Sequence, residues 1–199
     1  LAESSKFYQD LMLNLESTMN AKGIDAKSHS MLRHHTYKCL LFLGDIARYT
    51  EQNSDSKEKN FSVALRYYER AAFMEPESGN PHNQMAVLAG YSSAECVAVF
   101  HYCRSILAKK PFASGLENLM IFYNKVRKQH EAWLEEEGAP EVANSSTGFG
   151  KRKSREASKA NKVKVFLIRF THLHGTLFEE ANRALQRADG TVGTESSAS

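Results

Sequence analysis

Laid on itself with a shift of 34 residues, this chain matches over one stretch. Ala64 falls on Ala98, Tyr68 on Tyr102, Arg70 on Arg104 and Ala71 on Ser105, and Pro76 falls one residue short of Pro111. A small residue, an aromatic four on and a small residue three further all lie on one side of an α-helix. The small positions let a neighbouring helix approach closely, and the aromatic fills the space beside them. A unit this short cannot bury its own apolar face, so it folds by stacking on the next. The repeat therefore points to paired helices stacked in chain order, an all-α fold.

The rest of the chain agrees. Apolar residues recur at helical spacing, which predicts inward faces at Phe7, Leu11, Leu15 and Met19 and at Leu32, Leu40, Leu43 and Ile46. Further faces are predicted at Phe61, Leu65, Tyr68 and Ala72, at Cys96, Phe100, Cys103 and Leu107, and at Val163, Phe166, Phe170, Leu173 and Leu177. The helices are expected over residues 2–20, 29–52, 56–75, 81–90, 93–109, 115–137 and 163–188. Asp55 with Glu58, Ser92 with Glu95 and Ser114 with Glu117 have the spacing of reciprocal caps, Asn80-Pro81 reads as a cap followed by a first-turn proline, and Gly23 reads as a stop. Thirty-four residues is the period of the tetratricopeptide repeat. Leu43-Gly44, then Ala64, Tyr68, Ala71 and Pro76 fill one such unit, with Met85-Ala86 replacing Leu-Gly in the second. Two units are fewer than usually stand alone, so the first, sixth and last helices are expected to cap the stack.

Residues 1–137 thus read as one helical domain. Residues 138–160, rich in Gly, Ser, Asn and charge, read as a flexible basic insertion. Residues 161–188 continue the helical unit, and the Ser-rich 189–199 read as a disordered tail. The chain begins at Leu1 inside a helical pattern and reads as a piece of something longer. No apolar run is long enough to span a membrane. Cys39, Cys96 and Cys103 are odd in number and lack a C-x-x-C pair, poor material for a disulfide framework or a zinc site. His34-His35, and His172 with His174, are spaced to point in different directions on a helix. No nucleotide-binding glycine loop, nucleophile elbow or zinc-protease motif occurs, so no catalytic residue, cofactor or metal is expected.

Two segments carry binding chemistry. Lys151 to Lys164 holds seven basic residues and one acid, with Lys151, Arg152, Lys153 and Arg155 clustered. It reads first as a solvated linker, then as a nuclear-import signal, then as a phosphate-backbone contact without aromatics to stack bases. An import signal implies nuclear as well as cytoplasmic residence. In Gly44-Asp45-Ile46-Ala47-Arg48-Tyr49, a guanidinium fork lies beside a phenol, a pair able to hold a phosphate. The plainer alternative is a salt bridge from Arg48 to Asp45 or Glu51, each three residues away.

Leu43 to Tyr49, Tyr67-Tyr68, Gly79 to Ala89, Tyr102 to Ser105, Pro111-Phe112 and Phe166 to Phe178 together resemble the N-terminal domain of the Ever-Shorter-Telomeres proteins and the SMG adaptors of nonsense-mediated mRNA decay. The resemblance implies a 14-3-3-like stack of antiparallel helices with a phosphopeptide groove. It implies that Arg48 holds the phosphate with Tyr49 assisting, that Asn83 bonds the peptide backbone, and that Arg104 faces the groove or, more readily, braces Asp45. The family's pocket also uses a Lys from an earlier helix, which falls before Leu1; Lys38, ten residues before Arg48, is no substitute. The partners implied are a phosphorylated segment of the decay RNA helicase or another phosphoprotein, a paralogue of the same family, and RNA or telomerase. A phosphate-independent protein scaffold is the alternative.

Overall fold

The structure, a computed structural model, describes residues 1–138 and 151–192. Residues 139–150 and 193–199, and the side chains of 135–138, 151–161 and 188–192, lie outside the described residues. These hold most of the expected insertion and tail. Seven helices occur among the described residues, with no strand: α1 (Ala2–Met19), α2 (Ala26–Gln52), α3 (Ser62–Met74), α4 (Asn80–Tyr91), α5 (Glu95–Ile106), α6 (Gly115–Gly138) and α7 (Lys151–Val192). The fold is all-α, as the repeat requires. Contacts divide the chain into two units, Leu1–Asn118 and Leu119 onward.

In the first unit each helix packs on the next in chain order, from α1 to α5. The repeat register decides which face is buried. Ala64, Tyr68 and Ala71 of α3 are at most 1% exposed, and Ala98, Tyr102 and Ser105 of α5 at most 6%. On α5 the broader apolar stripe fails as a guide. Phe100 is 55% and Leu107 83% exposed, and Cys96 and Cys103 are half-buried, so the expected inward face lies at the flank. The small-aromatic-small set wins because it lets α4 and α5 come close. On α1 the face is shifted by about a residue: Met12 is buried, with Tyr8, Leu11 and Leu15 packed beside it, while Phe7 is exposed. Leu40 and Leu43 of α2 enter the core as expected.

Helix ends follow local hydrogen bonds, and only some of the expected signals hold: Ser114 directly precedes α6, its carbonyl accepting the Asn118 N–H, and Pro81 lies in the first turn of α4. Gly23 does follow α1, at φ +91°, in the left-handed region. α2 begins earlier than 29, because Asp25 Oδ1 accepts the backbone N–H groups of Lys27 and Ser28. α3 begins later than 56. Glu51 Oε1 accepts the Asn60 N–H at 2.7 Å and Asn60 Oδ1 accepts that of Ser62, so 53–61 is a polar loop and Asp55 is not its cap. Ser92 closes α4 instead of opening α5: its N–H reaches the Ala89 and Leu88 carbonyls and its hydroxyl donates to Leu88 O. Asn80 lies inside α4, whose N-cap is Gly79. The loops that carry Pro76 and Pro111 pair with each other, through Gly79 N–H to Lys110 O and Lys110 N–H to Glu77 O.

The second unit contains most of α6 together with α7. Phe122, Tyr123 and Val126 of α6 and Ile168 and Thr171 of α7 are buried. The Tyr123 hydroxyl hydrogen-bonds His174 Nδ1 at 2.6 Å, and a Cβ on Gly175 would stand 2.7 Å from the Tyr123 ring. That close approach selects the Ile168, Thr171 and Gly175 face. The stripe expected inward, Val163, Phe166, Phe170, Leu173 and Leu177, is 52–63% exposed. α7 also starts at Lys151 rather than 163, so part of the expected insertion is helix.

Gly44 has no room for a side chain, since a Cβ there would overlap the Tyr68 ring. Gly44→Ala is expected to destabilise the fold by about 1–3 kcal/mol through overpacking. Thermal circular dichroism should show a Tm lowered by several degrees; an unchanged Tm would mean the contact is slack.

Candidate functional site

The last turns of α2 carry Gly44, Asp45, Arg48 and Gln52, spaced so that their side chains share one side of the helix. α3 brings Tyr68 across them. The Tyr68 hydroxyl donates to Asp45 Oδ1 at 2.8 Å and accepts from Arg48 Nε at 3.3 Å. Arg48 Nη2 donates to Asp45 Oδ1 at 3.2 Å and Nη1 to Gln52 Oε1 at 3.5 Å. Its guanidinium lies 4.1 Å from the centroid of the Tyr49 ring. Three of its five N–H groups are used in this way. The Arg48 side chain is 10% exposed, whereas Tyr49 is 47% exposed.

The electrostatics hold this arginine as a cation. Burial opposes its charge, but hydrogen bonds with Tyr68, Tyr49 and Asp45 outweigh that and raise its pKa further. Burial, together with the Asp45 charge, pushes the Tyr68 phenol above its ordinary range against the pull of Arg48. A buried ion pair is weak evidence for stability, because desolvation offsets the attraction. What the Asp45–Tyr68–Arg48 set supplies is a fixed orientation of the guanidinium. Of the two alternatives for the salt bridge, Asp45 is the partner; Glu51 turns instead to the Asn60 backbone. Tyr68 was legible only as a repeat aromatic, and its hydroxyl's reach to Arg48 had no signal of its own in the sequence.

The remaining candidates fall elsewhere. Asn83 is buried, and its Oδ1 accepts from Asn118 Nδ2 at 2.9 Å, so this oxygen joins α4 to the start of α6. Arg104 does not brace Asp45, whose partners are Arg48 and Tyr68. It is exposed on α5 beside a pair of imidazoles, His82 and His101, whose Nδ1 atoms are 3.2 Å apart. The brace was what the resemblance implied; Arg70, the repeat counterpart of Arg104, pairs with Glu16 at 3.0 Å. Lys38 lies on the far turns of α2, with its ammonium 5.9 Å from the Tyr37 ring. Lys151, Arg152, Lys153 and Arg155 lie in the first turns of α7, with side chains outside the described residues. Among the described residues there is no group of three His, Cys, Asp or Glu side chains able to hold a metal.

Tyr68→Phe removes the hydroxyl that orients Arg48 and leaves buried polar groups unpaired. A loss of about 1–3 kcal/mol is expected in urea unfolding; a variant as stable as the parent would show that the hydroxyl is dispensable. The imidazoles give a pH dependence. Burial, then the charges of Arg104 and His101, lower His82 to about 4, and burial with Arg104 lowers His101. Below the ordinary pKa the unfolded chain takes up more protons than the folded one, so stability falls as pH drops from about 6.5 towards 4. Melting curves at pH 7 and 5 should show a drop that shrinks in His82→Gln.

Comparison with known proteins identifies the family. The family described as the Est1 DNA/RNA binding domain matches residues 64–188. The Arabidopsis thaliana nonsense-mediated mRNA decay factor SMG7 is 31% identical over 216 aligned residues, covering 89% of this chain and 20% of that protein. An Arabidopsis SMG7-like decay factor is 37% identical, over 80% of this chain and 18% of its own length. The Danio rerio telomerase-binding protein EST1A is 25% identical, over 89% of this chain and 15% of its own length. The chain therefore spans about a fifth or less of each of these relatives. With the family match covering more than half of its residues, and with the stacked helices observed, the chain belongs to the Ever-Shorter-Telomeres and SMG family.

Proposed function

We propose that this chain is a non-catalytic adaptor module that binds a phosphoserine or phosphothreonine segment of a partner protein through Arg48 and Tyr49. The observation that carries the reading is the state of Arg48: charged, held in one orientation by Asp45 and Tyr68, and with about a tenth of its side chain exposed beside an exposed phenol. An arginine already fixed by its neighbours loses little side-chain entropy when a phosphate arrives. The two Nη bonds, to Gln52 at 3.5 Å and Asp45 at 3.2 Å, are those a dianion can replace, leaving Nε on Tyr68.

The names of the relatives supply the setting. Several are called nonsense-mediated mRNA decay factors and others telomerase-binding or telomere elongation proteins. The reading is that the module recruits a phosphorylated component of RNA surveillance, such as its helicase, or of telomere maintenance, in cytoplasm and nucleus. A second reading has two observations in its favour: the family's description names DNA and RNA, and α7 opens on Lys151, Arg152, Lys153 and Arg155. Nucleic-acid binding through these side chains would weaken steeply with salt.

Fluorescence anisotropy with a Ser-Gln-rich peptide, phosphorylated and unmodified, tests the proposal. Phosphate-dependent binding is expected, falling roughly 10- to 100-fold in Arg48→Glu, the equivalent of one or more charge-assisted bonds. Equal binding of both peptides by the unaltered chain would favour a phosphate-blind scaffold, and phosphopeptide affinity retained in a folded Arg48→Glu protein would sink the proposal.

A further inference from the structure

A pocket of about 440 Å³ lies at the ends of α4 and α5, away from Arg48 in the sequence, and is lined by Pro76, Glu77, His82, Arg104, Leu107 and Lys109. Its charges do not cancel. Lys109 pairs with Glu77 at 2.7 Å, and Lys110 approaches Glu75 at 3.7 Å and Glu77 at 4.0 Å. Glu75 also holds His34 of α2 at 2.8 Å. Both carboxylates are thus engaged, and Arg104 has no carboxylate partner among the described residues.

Beside Arg104 stand two stacked imidazoles, His82 from α4 and His101 from α5, with ring centroids 5.4 Å apart. Their Nδ1 atoms are 3.2 Å apart, so one Nδ1–H donates to the other's lone pair. Where His101 donates, His82 carries its own proton on Nε2 and keeps that N–H to offer in the pocket. The pair also has room for one more proton, because a protonated imidazole hydrogen-bonds a neutral one without rearrangement. What opposes that proton now is burial and the unneutralised charge of Arg104.

We propose that this pocket is a second phosphoryl-binding site, in which the Arg104 fork grips a phosphate on a protein segment and the His82–His101 pair donates to it. A guanidinium is the side chain best matched to two phosphate oxygens. A dianion would neutralise Arg104 and let the imidazole pair take up its proton, so ligand and proton bind together. The mixed charge of the rim decides the class of partner. Glu77, paired with Lys109, and the nearby Glu75, paired with Lys110, break the run of positive charge, which suits a single phosphoryl group on a peptide better than a continuous phosphate backbone. Leu107, 83% exposed, gives such a peptide an apolar contact. The site stands whether or not Arg48 reads phosphate.

Heteronuclear NMR of the His ring and Arg side-chain signals tests this on the 199-residue chain. Sulfate, a dianion across the range from pH 5.5 to 8, is the first probe. Saturable shifts at His82 and His101 are expected, tighter at the lower pH. The affinity should fall about tenfold or more in Arg104→Gln and hold in Arg48→Glu. His82→Gln should keep much of the binding yet flatten its pH dependence. A phosphoserine peptide should shift the same signals at lower concentration than its unmodified form. Absence of saturable shifts, or binding undiminished in a folded Arg104→Gln protein, would overturn the site. A single-stranded oligonucleotide that shifts these signals at lower concentration than the phosphopeptide would overturn the choice of partner.

Discussion

The approach of the Tyr68 ring to the bare backbone of Gly44 is the contact on which the rest depends. It closes α3 onto α2 without a gap, in a core where Leu40, Leu43, Ala64 and Ala71 are almost wholly buried. It also delivers a phenol hydroxyl to the point where Asp45 and Arg48 come together. The same interaction thus packs the core and orients Arg48. A ring that packs for its area carries a polar end that must find partners when buried, and it finds an acid and a base on the facing helix. Arg48 is oriented as a result, at the cost of desolvating it.

The small-aromatic-small register explains which parts of the fold were legible. At α3 and α5 the spacing of Ala64, Tyr68 and Ala71, and of Ala98, Tyr102 and Ser105, identified the buried face to the residue. Hydrophobicity alone pointed to Phe100 and Leu107 on α5 and to Phe166 and Phe170 on α7, all exposed. The reason is that close helix approach selects small side chains, and small side chains score as weakly apolar. Thr171 and Gly175 bury against α6 while larger neighbours face out. Helix ends were less legible, because a Ser or Asp followed by Glu three on is a frequent spacing. Which hydroxyl or carboxylate finds an amide depends on the loop, as Ser92 and Asn60 show.

At the site, the sequence located Arg48 and Tyr49 and offered Asp45 as a partner, because all three lie within one helix. Tyr68 and the imidazole pair beside Arg104 were out of reach for the opposite reason. His82 and His101 come from different helices, 19 residues apart. Arg104, placed as a brace for Asp45 by analogy, stands beside these rings instead. The two arginines are then held in contrasting ways. Arg48 is locked by an acid and a phenol, whereas Arg104 is exposed and depresses the imidazoles beside it.

A crystal structure of this chain with a phosphoserine peptide tests most directly the claim that Arg48 is held ready for phosphate. The account predicts phosphate oxygens on the Nη atoms of Arg48, at the ordinary charge-assisted distance of about 2.7–2.9 Å. Nε should remain on the Tyr68 hydroxyl, and the Tyr49 hydroxyl should come within reach. A bound peptide whose phosphate lies elsewhere, with Arg48 still bonded to Gln52 and Asp45, would contradict it.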